Sequence, residues 1–140
     1  HQFALGEAEG QLEMVMPEVQ NVKMQGLSHV VHESITEYNE GRRYAVPQHR
    51  LDFLVDVVVN MQAIKMDVEN FEYFVLKGGE AALRQFKPII YCELWDNENR
   101  AKCFDLLRMI GYNVMVLHGG KLVAYDPAIH QNQNFFFTAA

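Results

Sequence analysis

Apolar positions change their spacing along this chain, and the change divides it near residue 50. From Phe3 to Met16 a short apolar start leads into the turn-forming run Gly6-Glu7-Ala8-Glu9-Gly10, and Leu12, Met14 and Met16 then occupy every second position. Alternation of period two around a glycine-bounded turn predicts a β-hairpin. Polar residues dominate from Pro17 to Pro47, and the weak apolar pattern between Gly26 and Ile35 predicts a further strand pair. Leu51 to Val59, apolar at mixed spacing, predicts a short helix after a strand ending near Pro47.

The second half is patterned more strongly. Ala63 to Asp67 predicts a short strand that ends in acid. Phe71, Phe74, Val75, Ala82, Leu83 and Phe86 recur at helical spacing, with Gly78-Gly79 as a break inside the run. Pro88 opens a second strand, Ile89 to Cys92, ending at Glu93. Asp96 or Asn97 can cap a helix whose face is Phe104, Leu107 and Ile110 and whose stop is Gly111. Tyr112–Leu117, Lys121–Tyr125 and Asn134–Thr138 predict closing strands, the first two joined by a turn at Gly119-Gly120. Apolar strands alternating with helices predict a mostly parallel sheet covered on both faces. A tight turn between the late strands requires antiparallel pairing there. The expected fold class is α/β with a mixed sheet, in one domain over residues 1–140: a strand-rich segment 1–50 and an α/β core 51–140.

Composition narrows the partners. Apolar residues make up 49% of the 140 and charged residues 21%, which is globular rather than disordered. A net charge of −6, with Arg42-Arg43 the nearest thing to a basic cluster, disfavours nucleic acid. No apolar run reaches the length of a membrane span; the candidate Leu54–Val59 is interrupted by Asp56. Cys92 and Cys103 fall in the expected strand and helix. Unpaired core cysteines suit a reducing compartment, so a cytoplasmic location is expected. His29 and His32 are the close histidine pair, but the valines between them read as strand and no third ligand follows, so no metal site is expected there. Ser28 and Ser34 sit in no nucleophile elbow.

Ligands of open α/β sheets bind at the carboxyl ends of the strands. Asp67 ends one expected strand, with Glu69 and Glu72 in the turn behind it, and Glu93 ends the next. A helix dipole accounts equally well for Glu69 and Glu72. If Asp67 and Glu93 face one cleft, they can hold a substrate hydroxyl, act as a general base or bind a divalent cation. Trp95, just past Glu93, is a candidate to line a substrate pocket, with packing at a sheet edge as the alternative.

The run Ile64-Lys65-Met66-Asp67-Val68-Glu69-Asn70-Phe71-Glu72, then Val75-Leu76-Lys77-Gly78-Gly79, then Pro88-Ile89-Ile90-Tyr91-Cys92-Glu93, resembles the signature of the FkbM methyltransferases. That signature reads I-K-I-D-V-E-G-x-E, V-L-x-G-A/G and P-x-I-x-x-E. Arg50-Leu51-Asp52 resembles the R/T-L-D that precedes it, and Ala4-Leu5-Gly6 with Gly10 resembles the segment after the family's third strand. The match spans nearly the whole chain. It implies the C-terminal half of a Rossmann-like class I methyltransferase sheet, with S-adenosylmethionine as cofactor and a hydroxyl of a sugar or small metabolite as methyl acceptor. Within that reaction Asp67 is expected to accept the hydroxyl proton, with Glu69 and Glu93 orienting the substrate or a cation. The family usually has glycine at the place of Asn70, which suggests a positive backbone dihedral or close approach of substrate there. Asparagine is the next most tolerant of that conformation, so the turn is expected to survive. Close backbone approach is less well served and a different substrate fit is implied; Asn70 is expected as a substrate-binding residue.

The family also resembles other methyltransferases in having a glycine-rich turn after the first strand. Here Gly78-Gly79 and Gly119-Gly120 lack the flanking strand and helix, so the N-terminal cofactor strands are expected to be missing and the chain alone to be catalytically incomplete. Two alternatives follow from the same features. One is a non-catalytic fragment that dimerises through an exposed sheet edge. The other is a carbohydrate-binding fragment using the carboxylates and Trp95.

Overall fold

The alternation through Leu12, Met14 and Met16 does produce a strand, but one that pairs elsewhere than with its neighbour in sequence. In the computed structural model, which describes residues 1–139, the first half forms β1 (Ala4–Gly6), β2 (Gly10–Val19), β3 (Val22–Lys23), β4 (His29–Val30) and β5 (Gly41–Arg50). β5 lies between β1 and β2, so the expected Phe3–Met16 hairpin does not form. The reason is length of register. β5 offers β2 a continuous antiparallel ladder from Gly10–Gln48 to Pro17–Gly41, which the three residues of β1 cannot match. β1 instead runs parallel to β5 from Ala4–Gln48 to Gly6–Arg50.

β5 also passes through Pro47 rather than ending near it. The pairing with β1 begins only at Gln48, so Pro47 has a paired neighbour on one side, where a strand tolerates a residue without an N–H. The strand pair expected over Gly26–Ile35 is reduced to β4, which pairs with β2, after a 3₁₀ turn at Gln25–Leu27. Leu51–Asp56 is a 3₁₀ helix directly after β5.

The second half follows its periodicity closely. It comprises β6 (Ala63–Met66), α1 (Glu72–Lys77), α2 (Glu80–Phe86), β7 (Ile89–Glu93), α3 (Glu98–Met109), β8 (Tyr112–His118), β9 (Lys121–Ala124) and β10 (Asn134–Ala139). Gly78-Gly79 separates α1 from α2, and Asn97 caps α3 by accepting the N–H groups of Asn99 at 2.9 Å and Arg100 at 3.3 Å. The strand order is β6-β7-β10-β8-β9.

Two features of this sheet correct the expectation. It is not mostly parallel: β6–β7 pair in parallel, and the other three pairings are antiparallel. β10 inserts between β7 and β8, and Gly119 and Gly120, both at positive φ, close β8 onto β9 as a hairpin. The sheet is also covered on one face, not both. Ile90, Cys92, Phe135 and Phe137 are fully buried in a core shared with the three helices. On the opposite face Ile89 and Leu117 are 51% and 55% exposed. Strands that alternate in this way need helices on a single side. Val30 and Ile35 join the same core. The result is a mixed α/β fold of two mixed sheets, and among the described residues no helix is long and apolar enough to cross a membrane.

Candidate active site

β6 and β7 are in register up to the pair Met66–Cys92, so Asp67 and Glu93 stand side by side one residue further on. Both project to the uncovered face of the sheet. There they line a small cavity of about 110 Å³ with Lys65, Tyr91 and Asn134. Lys65 Nζ holds Asp67 Oδ2 at 3.0 Å, and that hydrogen bond, ahead of the pull of Asp67, Tyr91 and Glu93 charges, raises the Lys65 ammonium above its usual range. The Tyr91 hydroxyl donates to Asn134 Oδ1 at 3.0 Å across the β7–β10 pairing.

Asp67 also lines a larger cleft of about 480 Å³ between the two sheets, walled by Leu5, Met14, Val30, Met66 and Phe71. This cleft runs along β6, which pairs with β7 and with no other strand among the described residues. His29 lies on its wall and is held by the carbonyl of Leu27 at 2.8 Å and Asn39 Oδ1 at 3.1 Å. His32 Nδ1 is taken by Ser34. No three His, Cys, Asp or Glu side chains among the described residues converge to hold a metal.

Glu69 belongs to the same acidic corner. Burial, and then repulsion from Asp67 and Glu93, raises its carboxyl above the ordinary range, with His29 opposing. Asp67, Glu69 and Glu93 are therefore brought together, with a proton held more readily on Glu69 than on an isolated glutamate.

The turn that carries these acids is built from Glu69 and Asn70, both left-handed at φ 52° and 71°. The positive dihedral expected of a family glycine is thus present at Asn70. Asn70 is buried, 6% exposed, and its amide faces protein on both sides. Its Oδ1 accepts from Asn97 Nδ2 at 2.9 Å, its own carbonyl accepts from Asn99 Nδ2 at 3.0 Å, and its Nδ2 donates to the Ser34 carbonyl at 3.4 Å. The Asn70 amide, expected from the sequence beside the substrate, is engaged in an internal strut. It ties the acid-bearing turn to the start of α3 and to the segment after β4.

Glu72 staples the same turn from inside. It is 2% exposed, and its Oε1 accepts the Val68 N–H at 3.1 Å. Burial pushes its carboxyl up, against the backbone N–H groups of Glu72, Val68 and Asn70 that favour the charged form. Trp95 is half-buried and lines neither the small cavity nor the cleft. Sequence reasoning missed Asn99, Ser34 and Lys65. Asp96 or Asn97 carried the capping signal for the helix start on which Asn99 sits, whereas Ser34 carried none, because it meets the turn only across 36 residues.

A family model described as the methyltransferase FkbM domain matches residues 1–118. No curated protein and no solved structure matches the chain.

Proposed function

The chain belongs to the FkbM methyltransferase domain family, and on that premise we propose that it serves an S-adenosylmethionine-dependent O-methyl transfer to a hydroxyl of a sugar or small metabolite. The observation that carries the acceptor side is the pairing of Asp67 and Glu93 on neighbouring parallel strands, both opening on one cavity at the carboxyl edge of the sheet. A hydroxyl becomes a competent nucleophile as its proton is taken. Asp67 is the acceptor, oriented by Lys65. Glu93 and Glu69 hold the neighbouring hydroxyls and fix the approach.

Asn70 acts here as a positioning residue through its strut. A net charge of −6 supports a small neutral acceptor over nucleic acid. Buried, unpaired Cys92 and Cys103 support a reducing compartment such as the cytoplasm.

S-adenosylmethionine is the methyl donor that the family implies. The described residues fit only part of a site for it. Asp67 edges the cleft, but Gly78-Gly79 packs against Gly6 and Leu51, and Gly119-Gly120 is a hairpin tip. Among the described residues no glycine-rich turn offers backbone N–H groups to the donor. The test is methyl transfer from labelled S-adenosylmethionine to a panel of sugars and polyols. Label in a methyl ether that depends on Asp67 supports the reading; label on carboxyl or amine acceptors alone ends it.

A second reading is favoured by the free edge of β6. An edge strand beside an apolar cleft invites pairing with another chain, which supports a homodimer formed there, with or without catalysis.

A further inference from the structure

A second cavity, of about 450 Å³, lies at the carboxyl edge of the sheet behind the acids. Its walls are Asp96 just before α3, Arg100 in the first turn of α3, and the loop from Tyr125 to Gln133. The backbone hydrogen bond from Leu94 N–H to the Gln133 carbonyl, at 2.7 Å, separates it from the Glu93–Asn134 pair on the other side. Its size is in the range of small-molecule sites. Residues 119–133 lie beyond the span matched by the family model, so much of this cavity is the chain's own.

The loop is built rather than loose. Asp126 Oδ1 accepts the Ala128 N–H at 2.9 Å, and the Asp126 carbonyl accepts the N–H groups of Ile129 and His130. The Asp126 N–H in turn donates to His130 Nδ1 at 3.0 Å. Since Nδ1 is accepting, the ring proton sits on Nε2. His130 is 6% exposed, lines the cavity, and its Nε2 has no hydrogen-bond partner among the described residues. The ring is fixed through Nδ1, packs against the His118 ring at 5.1 Å between centroids, and leaves Nε2–H as an unpartnered donor on a residue of the cavity wall.

The rest of the lining decides the ligand class. Arg100 is mostly buried, pairs with Asp96 one helical turn away, lies over the Phe135 ring and donates to the Asn132 carbonyl. Its charge is therefore compensated, and the cavity carries no free cation to attract a phosphate or carboxylate. What remains is neutral: the amides of Gln131, Asn132 and Gln133, none bonded to protein through its side chain among the described residues, and His130 Nε2–H. Side-chain amides present a donor and an acceptor together and suit vicinal hydroxyls. Tyr125 and Pro127 add an apolar wall for ring C–H groups.

We propose that this cavity is a saccharide subsite, binding a neutral polyhydroxylated ligand through His130 and the amides of residues 131–133. The inference deepens the acceptor side of the proposed function. It rests on that reading for its use in catalysis, while binding itself needs no methyl donor.

The test is an NMR titration of the chain, without cofactor, using sucrose, trehalose and cellobiose as neutral probes and glucose 6-phosphate as the anionic one. Saturable shifts of the side-chain amides of Gln131, Asn132 and Gln133 with at least one neutral sugar are expected. Affinity should fall by about tenfold or more in His130→Ala. Gln131→Ala, at an exposed loop position, should weaken binding without disturbing the fold. Absence of shifts with every neutral probe at millimolar concentration would overturn the proposal. So would stronger binding of glucose 6-phosphate, or undiminished binding by both variants. Failure of the methyltransferase reading is seen separately, as absence of methyl transfer by a chain that still binds sugar.

Discussion

A Cβ placed on Gly78 would stand 1.9 Å from the carbonyl oxygen of Gly6. The two glycines bring β1 of the first sheet against the break between α1 and α2, and the joint is locked by the Asp52 N–H on the Gly78 carbonyl at 3.0 Å and by Asp52 Oδ1 on the Ala82 N–H at 3.0 Å. Backbone meets backbone here, so no side chain can yield. Gly78→Ala should therefore destabilise the fold by about 3 kcal/mol, as overpacking of a rigid contact does. Urea unfolding measures this. A change in midpoint no larger than that of an exposed-site control would mean the joint is soft.

The Asn70 strut separates two contributions. Asn70→Gly keeps the left-handed turn and loses the amide bonds, each worth about 1 kcal/mol. Asn70→Ala loses both, adding a left-handed strain of about 1 kcal/mol or more. The expected order of stability is parent, then Gly, then Ala. If glycine proves the worse of the two, backbone conformation is not what this position is selected for.

Asp67→Asn keeps the shape of the small cavity and removes the proposed base. Turnover of sugar or polyol methylation should fall by about a hundredfold or more, with KM little changed, because the loss lies in proton transfer. An unchanged kcat would remove Asp67 from the chemistry.

Glu72 gives the fold a pH dependence of definite sign. Its carboxyl is raised above the ordinary 4.5 by burial. The folded state therefore binds its proton more tightly than the unfolded chain does. That stabilisation is complete below pH 4.5 and is lost as pH climbs through the raised value. Glu72→Gln retains an oxygen for the Val68 N–H and cannot ionise. Urea midpoints of variant and parent should differ least in acid, with the variant gaining ground as pH rises. A constant difference across pH would assign the effect to packing instead.

If the β6 edge pairs two copies, sedimentation should report a mass of two chains, and Ala63→Lys, at an exposed position of that strand, should return one. A parent that stays at the mass of one chain at every concentration would end the dimer reading.

Much of the second half was legible in residue order because its causes are local. Strand β7 is announced by Pro88 and four apolar residues, α3 by the Asn97 cap and the spacing of Phe104, Leu107 and Ile110, and the α1–α2 break by Gly78-Gly79. The acids at the strand ends were legible for the same reason, since Asp67 and Glu93 each follow an apolar run. The first half was less so. Short, half-exposed strands such as β1 and β4 carry little periodicity of their own, and their partners are chosen by whichever ladder is longest.

The sequence by itself determined the family signature, the helices and strands after residue 63, and which acids stand at and behind the strand ends. Tertiary structure decided that β5 separates β1 from β2, that β10 slips between β7 and β8, and that one face of the second sheet stays open. It also decided that Asn70 is a strut and that the buried His130 lines a polar cavity. These rest on contacts between residues tens of positions apart. Their energies depend on register and on the exclusion of competing neighbours, which no local pattern records.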